Sequence, residues 1–291
     1  TSILIAVVFA SMAYSMEVGG NMGKGARNMW GYSTMMFTGQ WGLFIVLGLF
    51  LFAPLFDTPN WFGMMLPVGF TGGFGTAAAV GGALEGVGAD AASSLGFTSA
   101  TVGTLAAIIG GVIAGNWGIR KGKVSHVPKE LPEELRRGYI KNVDERPSLG
   151  RATTNPSSIE PLALHFGFII LTVMTAYGIN QGLSSIWENV SVPLFAMSMV
   201  VGLFFRALMN FVGAEDYLDK DSISSISGAA TDYLIAFGVA AIVPAAIASY
   251  WQALLLLFIL GTIFCVFFLL WFPAEFFGER WIERGIFGWG W

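Results

Sequence analysis

Residues 66–80 read LPVGFTGGFGTAAAV, and no other stretch of the chain is as well suited to binding chemistry. Gly72, Gly73 and Gly75 permit a sharp, irregular backbone, and Thr76 is expected to open an alanine-rich helix. Irregular backbone at membrane depth persists only where protein or a water-filled cavity satisfies its polar groups. A segment of this kind in an apolar chain therefore lines a cavity. A half-helix starting at Thr76 aims its free amides and positive dipole end into that cavity, which suits an anionic carboxylate. Carbonyls around 72–75 and the hydroxyls of Thr71 and Thr76 suit a small cation, with Gly72, Gly75 and Thr76 nearest to it. The same glycines could serve as a helix-packing surface, but Pro67 and the spacing favour the site. Thr71, Gly72, Gly73, Phe74, Gly75 and Thr76 are thus the candidate binding residues.

Other polar residues in apolar surroundings have two uses each. Thr98, Ser99 and Thr101 either contact the tip from the next span or bond to their own helix. Asp232 is a candidate cation ligand or gate near the start of its span, or an acid in interfacial water. Arg206 lies close enough to a span end to snorkel, and His165 fits a satisfied helix contact better than a proton relay. Cys265 is the single cysteine, which excludes an intramolecular disulfide and a cysteine metal cluster. No HExxH, no GxSxG in a span and no pair of intramembrane aspartates is present, so an enzyme is not expected and no cofactor is implied.

The elements that position these residues follow from composition. The 291 residues are 55% hydrophobic and 12% charged, with mean hydropathy +0.67, too apolar for an aqueous surface. The net charge of −4 forms no basic stripe, so no nucleic-acid partner is implied. Apolar runs long enough to cross about 30 Å of hydrocarbon lie at 35–56, 96–119, 161–183, 192–212, 230–249 and 251–272, with a truncated span ending near Tyr14. The stretch 61–84 is also apolar but holds seven glycines and Pro67, so it is expected to break. A hydrophilic linker covers 120–160, with a helical turn near 131–139 whose Glu133, Glu134, Arg136 and Arg137 form a solvated face.

If 61–84 enters and leaves on one face, 14 of the 15 Lys and Arg residues share one side. If it crosses, that separation collapses. The positive-inside bias thus favours a re-entrant hairpin and a cytoplasmic linker. Residues 5–10 (IAVVFA) and 235–240 (IAFGVA) are similar, and each precedes a Trp- and Gly-rich segment, at 61–76 and 281–291. Two such units of opposite orientation mark an inverted-repeat transporter. The chain begins and ends inside apolar or Gly/Trp-rich segments, as a piece of a longer protein would.

The GGFGT tip, the alanine-rich helix after it, and the GFTSAT element at 96–101 resemble the sodium/glutamate symporter family, with its GGHGT-type tip and GFTNAT-type element. Gly72, Gly73, Gly75 and Thr76 match the tip motif, and Phe74 stands where the family has His. The resemblance implies an all-α membrane protein, an inverted-repeat secondary transporter with glycine-rich re-entrant loops. It divides the chain into a first repeat (1–119, truncated at its start, hairpin 61–84), a cytoplasmic linker (120–160) and a second repeat (161–291, truncated at its end). It implies alternating-access symport of glutamate or a similar small carboxylate with Na+ as coupling ion, in a multi-pass protein of the cell's cytoplasmic (inner) membrane that is open to homodimer formation. A carrier of citrate-like hydroxycarboxylates is the alternative that Phe74 keeps open. A channel is a weaker one, for lack of a repeated carbonyl-ring motif.

Overall fold

Every regular element among the described residues is a helix. The computed structural model describes residues 2–16, 23–121, 139–187, 192–278 and 281–289. Helices α1 (Ser2–Ser15), α2 (Lys24–Leu47), α3 (Ala53–Phe56), α4 (Met65–Gly69), α5 (Gly73–Glu85) and α6 (Ala92–Arg120) precede the linker. After it come α7 (Pro161–Ile186), α8 (Leu194–Val212), α9 (Lys220–Ala240), α10 (Pro244–Trp271), α11 (Pro273–Phe277) and α12 (Trp281–Trp289). Among the described residues six stretches are long and apolar enough to cross a membrane, Lys24–Phe56 and Pro244–Phe277 included, and α1 is a shorter apolar helix. The linker turn expected at 131–139 lies outside the described residues except for Tyr139.

Two prolines shape the long spans. Pro54 removes an amide and crowds the preceding turn, and the backbone just before it widens into a π-helical segment at Gly48–Phe52 that joins α2 to α3. Pro244 corrects the expected boundary at Tyr250. It pushes Val243 into extended backbone (φ −93°, ψ 111°) and occupies the first turn of α10, so the break falls at 241–243. The preceding span accordingly starts earlier, at Lys220. Asp232 is therefore about 18 Å along α9 at 1.5 Å per residue, mid-helix rather than near a span start, with its side chain exposed.

The chain forms two compact units, one of Thr1–Gly19 with Glu130–Phe237 and one of Gly20–Lys129 with Gly238–Trp291. Each draws on both sides of the linker. In the first, Phe9 packs on Phe195 at 4.8 Å and the Tyr14 hydroxyl bonds Thr172 Oγ1 at 2.7 Å. Ala10 clusters with Ile226, and Tyr14 with Ile223, so α1 and α9 run antiparallel. Arg206 donates to the Ala13 carbonyl at 3.3 Å, which satisfies its guanidinium at the end of α1.

His165 is fully buried and satisfied. The Asp219 amide donates to Nε2 at 2.8 Å, so Nδ1 carries the hydrogen and donates to the Pro161 carbonyl at 2.6 Å. The Asp219 carboxylate in turn accepts from the Ser222 amide and hydroxyl, both at 2.8 Å, and from the Arg151 amide at 3.0 Å. It thereby caps α9 and ties linker residues to it. Burial opposes ionisation of Asp219, but these hydrogen bonds outweigh it and hold the carboxyl below its ordinary range.

In the second unit α2 and α10 are antiparallel. Tyr32 meets Phe268 (5.1 Å), Gln40 Nε2 donates to Cys265 Sγ (3.4 Å), and Phe44 meets Phe264 (6.2 Å). Helix α6 runs beside α10 in the same sense. Ser94 near its start binds the Val243 amide at 2.9 Å, and near its end Ile113 and Trp117 face Val266 and Leu269 across an apolar cavity of about 430 Å³.

Charge separates by end within each unit. In the second, the Asn28 side chain donates to the Phe276 carbonyl at 2.7 Å and Trp117 meets Trp281 at 6.1 Å. That brings Lys24, Arg27, Arg120, Lys121 and Arg284 to one end. The other end carries Asp57, Glu85 and Asp90 and, among the described residues, no Lys or Arg. In the first unit Arg151, Arg206 and Lys220 gather where α9 begins. The opposite turn, where the Asn180 side chain donates to the Val192 carbonyl at 2.9 Å, has no Lys or Arg among the described residues.

Candidate functional site

The glycine-rich stretch folds as a hairpin within the second unit. Phe62 packs between Phe52 at the end of the α2 span (5.6 Å) and Tyr250 near the start of α10 (5.7 Å). From there α4 leads inward until Phe70 stacks on Phe258 at 6.3 Å. The chain turns at 70–72, and α5 returns along α6 until the Glu85 carboxylate accepts from the Ser93 amide at 3.1 Å. Both roots of the hairpin therefore lie at the acidic end of this unit. The turn lies beside Phe258, about 21 Å along an α10 that is about 42 Å long, halfway along that helix.

The turn leaves backbone groups unpaired for a stereochemical reason. Helix α4 stops at Gly69, where a side chain would collide with the backbone of Ser99 and Ala100 on α6. The Pro67 carbonyl then accepts both the Thr71 hydroxyl (2.8 Å) and the Gly72 amide (3.0 Å). The Leu66 carbonyl likewise takes the Phe70 amide at 2.8 Å and the Ser99 hydroxyl at 3.4 Å. Gly73 follows with φ +63°, a left-handed conformation that glycine adopts without the Cβ penalty other residues meet. That reversal lets the Gly72 carbonyl accept from the Thr76 amide at 3.4 Å, and α5 opens at Gly73.

The helix thus starts three residues before the expected Thr76. Its leading amides are those of Gly73, Phe74 and Gly75, which bond no group among the described residues. The Thr76 hydroxyl is likewise without a partner among them. Unbonded amides and a free hydroxyl at the head of a 13-residue helix present hydrogen-bond donors and a partial positive charge at one point. No Asp, Glu, Lys or Arg occurs at 58–84, 92–119 or 244–271, so these stretches bring no ionisable carboxylate or cation to the turn. No cluster of three or more His, Cys, Asp or Glu side chains occurs among the described residues.

The expected site residues do not all face the same way. Thr71 spends its hydroxyl on Pro67. Phe74 is 7% exposed and stacks on Phe97 at 6.4 Å, and a side chain at Gly238 would press within 2.6 Å of its ring. Its ring is therefore packed between helices. The hydroxyls of Thr98 and Thr101 donate to the carbonyls of Ser94 and Phe97 in their own helix, both at 2.8 Å, which leaves the lone pairs of each oxygen open to a further partner. Ser99, between them, makes the contact with the hairpin. Asp232 belongs to the other unit. Ser94, which holds the α9–α10 break through the Val243 amide, carried no sequence signal beyond being a serine in an apolar helix.

The fold is that of an all-α, multi-pass membrane protein. The sequence model of the sodium/glutamate symporter family matches residues 45–279, a span that includes the hairpin and most of the chain, and the chain belongs to that family of membrane transporters. No curated protein and no solved structure matches it.

Proposed function

We propose that the chain carries glutamate or a similar small carboxylate together with Na+ across the cytoplasmic membrane by alternating access, with 61–85 as a re-entrant hairpin and its tip as the binding site. The observation that carries this is the unbonded amide terminus of α5 halfway along α10, in a family of sodium/glutamate symporters. A carboxylate meeting these amides finds a partial positive charge but no basic side chain. A sodium ion held near Gly72, Gly75 and the Thr76 hydroxyl would supply the missing countercharge. Each ligand then strengthens binding of the other, and coupling follows because linkage is reciprocal.

The inverted-repeat reading, with 1–119 and 161–291 as repeats around the linker 120–160, is supported by antiparallel counterparts. Helices α1 and α2 precede the hairpin as α9 and α10 precede α12, and the counterparts α1 and α9 run antiparallel within the first unit as α2 and α10 do within the second. The charge separation within each unit supports placing the basic ends in the cytoplasm. Asp232, mid-helix and exposed, is a candidate second ion ligand or gate, and a homodimer is the proposed assembly.

The test is labelled glutamate uptake into proteoliposomes under an imposed sodium gradient, with unlabelled citrate as competitor. Sodium-dependent uptake that citrate leaves intact supports the proposal. Sodium-driven uptake of citrate in place of glutamate would transfer the substrate to the hydroxycarboxylates.

A further inference from the structure

A second polar cavity lies at the basic end of the second unit, away from the hairpin tip. It measures about 470 Å³ and is lined by the first turn of α2, by the end of α11 and by α12, with Lys24, Asn28, Glu275, Phe277 and Arg284 in its wall. Its framework is fixed, because Asn28 donates to the Phe276 carbonyl at 2.7 Å and the Arg284 guanidinium lies 5.7 Å from the centre of the Phe277 ring. Among the described residues neither Lys24 nor Arg284 is in an ion pair, Glu275 included. No side chain caps the start of α2, so its dipole adds to the same positive field. Trp30, 66% exposed on the same helix, marks this level as a membrane interface.

Two cations with no ion pair among the described residues, around a concave, partly apolar wall at the interface, match one ligand chemistry, a phosphate bearing a single or double negative charge. We infer that Lys24 and Arg284 form a phosphate-binding site that takes the headgroup of an anionic phospholipid or a free phosphate. The inference stands apart from the transport reading, since it uses no residue of the hairpin. Occupancy would tie Arg284 of α12 to the start of α2.

The full chain in detergent tests this with two probes. Native mass spectrometry compares retention of phosphatidylglycerol with phosphatidylcholine, and thermal unfolding compares inorganic phosphate with chloride at equal ionic strength. A K24Q/R284Q variant should lose about five-fold in affinity per charge removed. Glu275→Gln removes the one acid among the described lining residues and should bind about two- to five-fold more tightly. A phosphatidylglycerol preference that falls in the double variant and rises in E275Q supports the site with lipid as its source. Stabilisation by phosphate with the same variant pattern, and no lipid preference, supports it with free phosphate as its source. Absence of both preferences, or equal preferences in the wild type and the variants, overturns it. If the double variant does not fold, E275Q decides: tighter binding supports the site, and unchanged or weaker binding overturns it.

Discussion

Gly73 offers a clean perturbation of the tip because only its backbone is special. Its φ is +63°, and a Cβ added there would meet nothing within 4 Å. Replacement by alanine therefore introduces no clash, and the cost is the left-handed conformation alone, about 1–2 kcal/mol. If the turn must hold this geometry to bind, the competent fraction falls by about 5- to 30-fold, and the apparent glutamate affinity falls with it. Asparagine tolerates the left-handed region better than other non-glycine residues, so Gly73→Asn should lose least. Valine, β-branched, should lose most. Sodium-dependent uptake in proteoliposomes, with the glutamate concentration for half-maximal rate measured for each variant, gives the ranking Gly, Asn, Ala, Val. Equal values for Gly and Ala, or Asn worse than Val, would refute the claim that the turn's handedness positions the amides.

Three further predictions follow from particular contacts. Ser94→Ala strips the Val243 amide of its acceptor and should cost about 1–3 kcal/mol, read as a lowered unfolding temperature in detergent; Thr98→Ala, which removes only a bond within its own helix, should cost less. Because Asp219 titrates below its ordinary range, its stabilisation of the α9 start is fully present above that range and is lost as pH falls through the lowered value. Hydrogen exchange at Ser222 and Ile223 should accelerate there, and Asp219→Asn should abolish the pH dependence. Phe74→His places a polar ring in a 7% exposed aromatic contact and should lower thermal stability more than it changes competition between glutamate and citrate; the reverse pattern would return Phe74 to substrate selection.

Much of the fold was legible because lipid imposes long apolar runs that differ sharply from a basic linker. The spans around 35–56, 96–119 and 161–183 reappear as helices with extended ends. The misplaced boundary at Tyr250 has a simple cause. Residues 233–248 contain no charged residue, so hydropathy marks no break there, and only Pro244 signals one. The first turns of α9 read KDSISSISGA, too polar to register as a span, although Asp219 followed by Ser222 carries the helix-capping signal. The irregular tip could be read from its glycines, but its helix start could not. Three residues of difference rest on the sign of one φ at Gly73, which the sequence permits without requiring. The burial of Phe74 depends on Phe97 and Gly238, one of them more than 160 residues away in the chain, and no local pattern reveals it.

The central claim is that the tip at 71–76 binds the transported carboxylate with sodium as its partner. It is tested most directly by titrating glutamate and sodium against the purified full chain in calorimetry, each in the presence and absence of the other, for the wild type and Gly73→Val. The account predicts that each ligand tightens the other by the same factor and that both heats are lost in the variant. Glutamate binding that is indifferent to sodium, or coupled binding that survives in Gly73→Val, would contradict it.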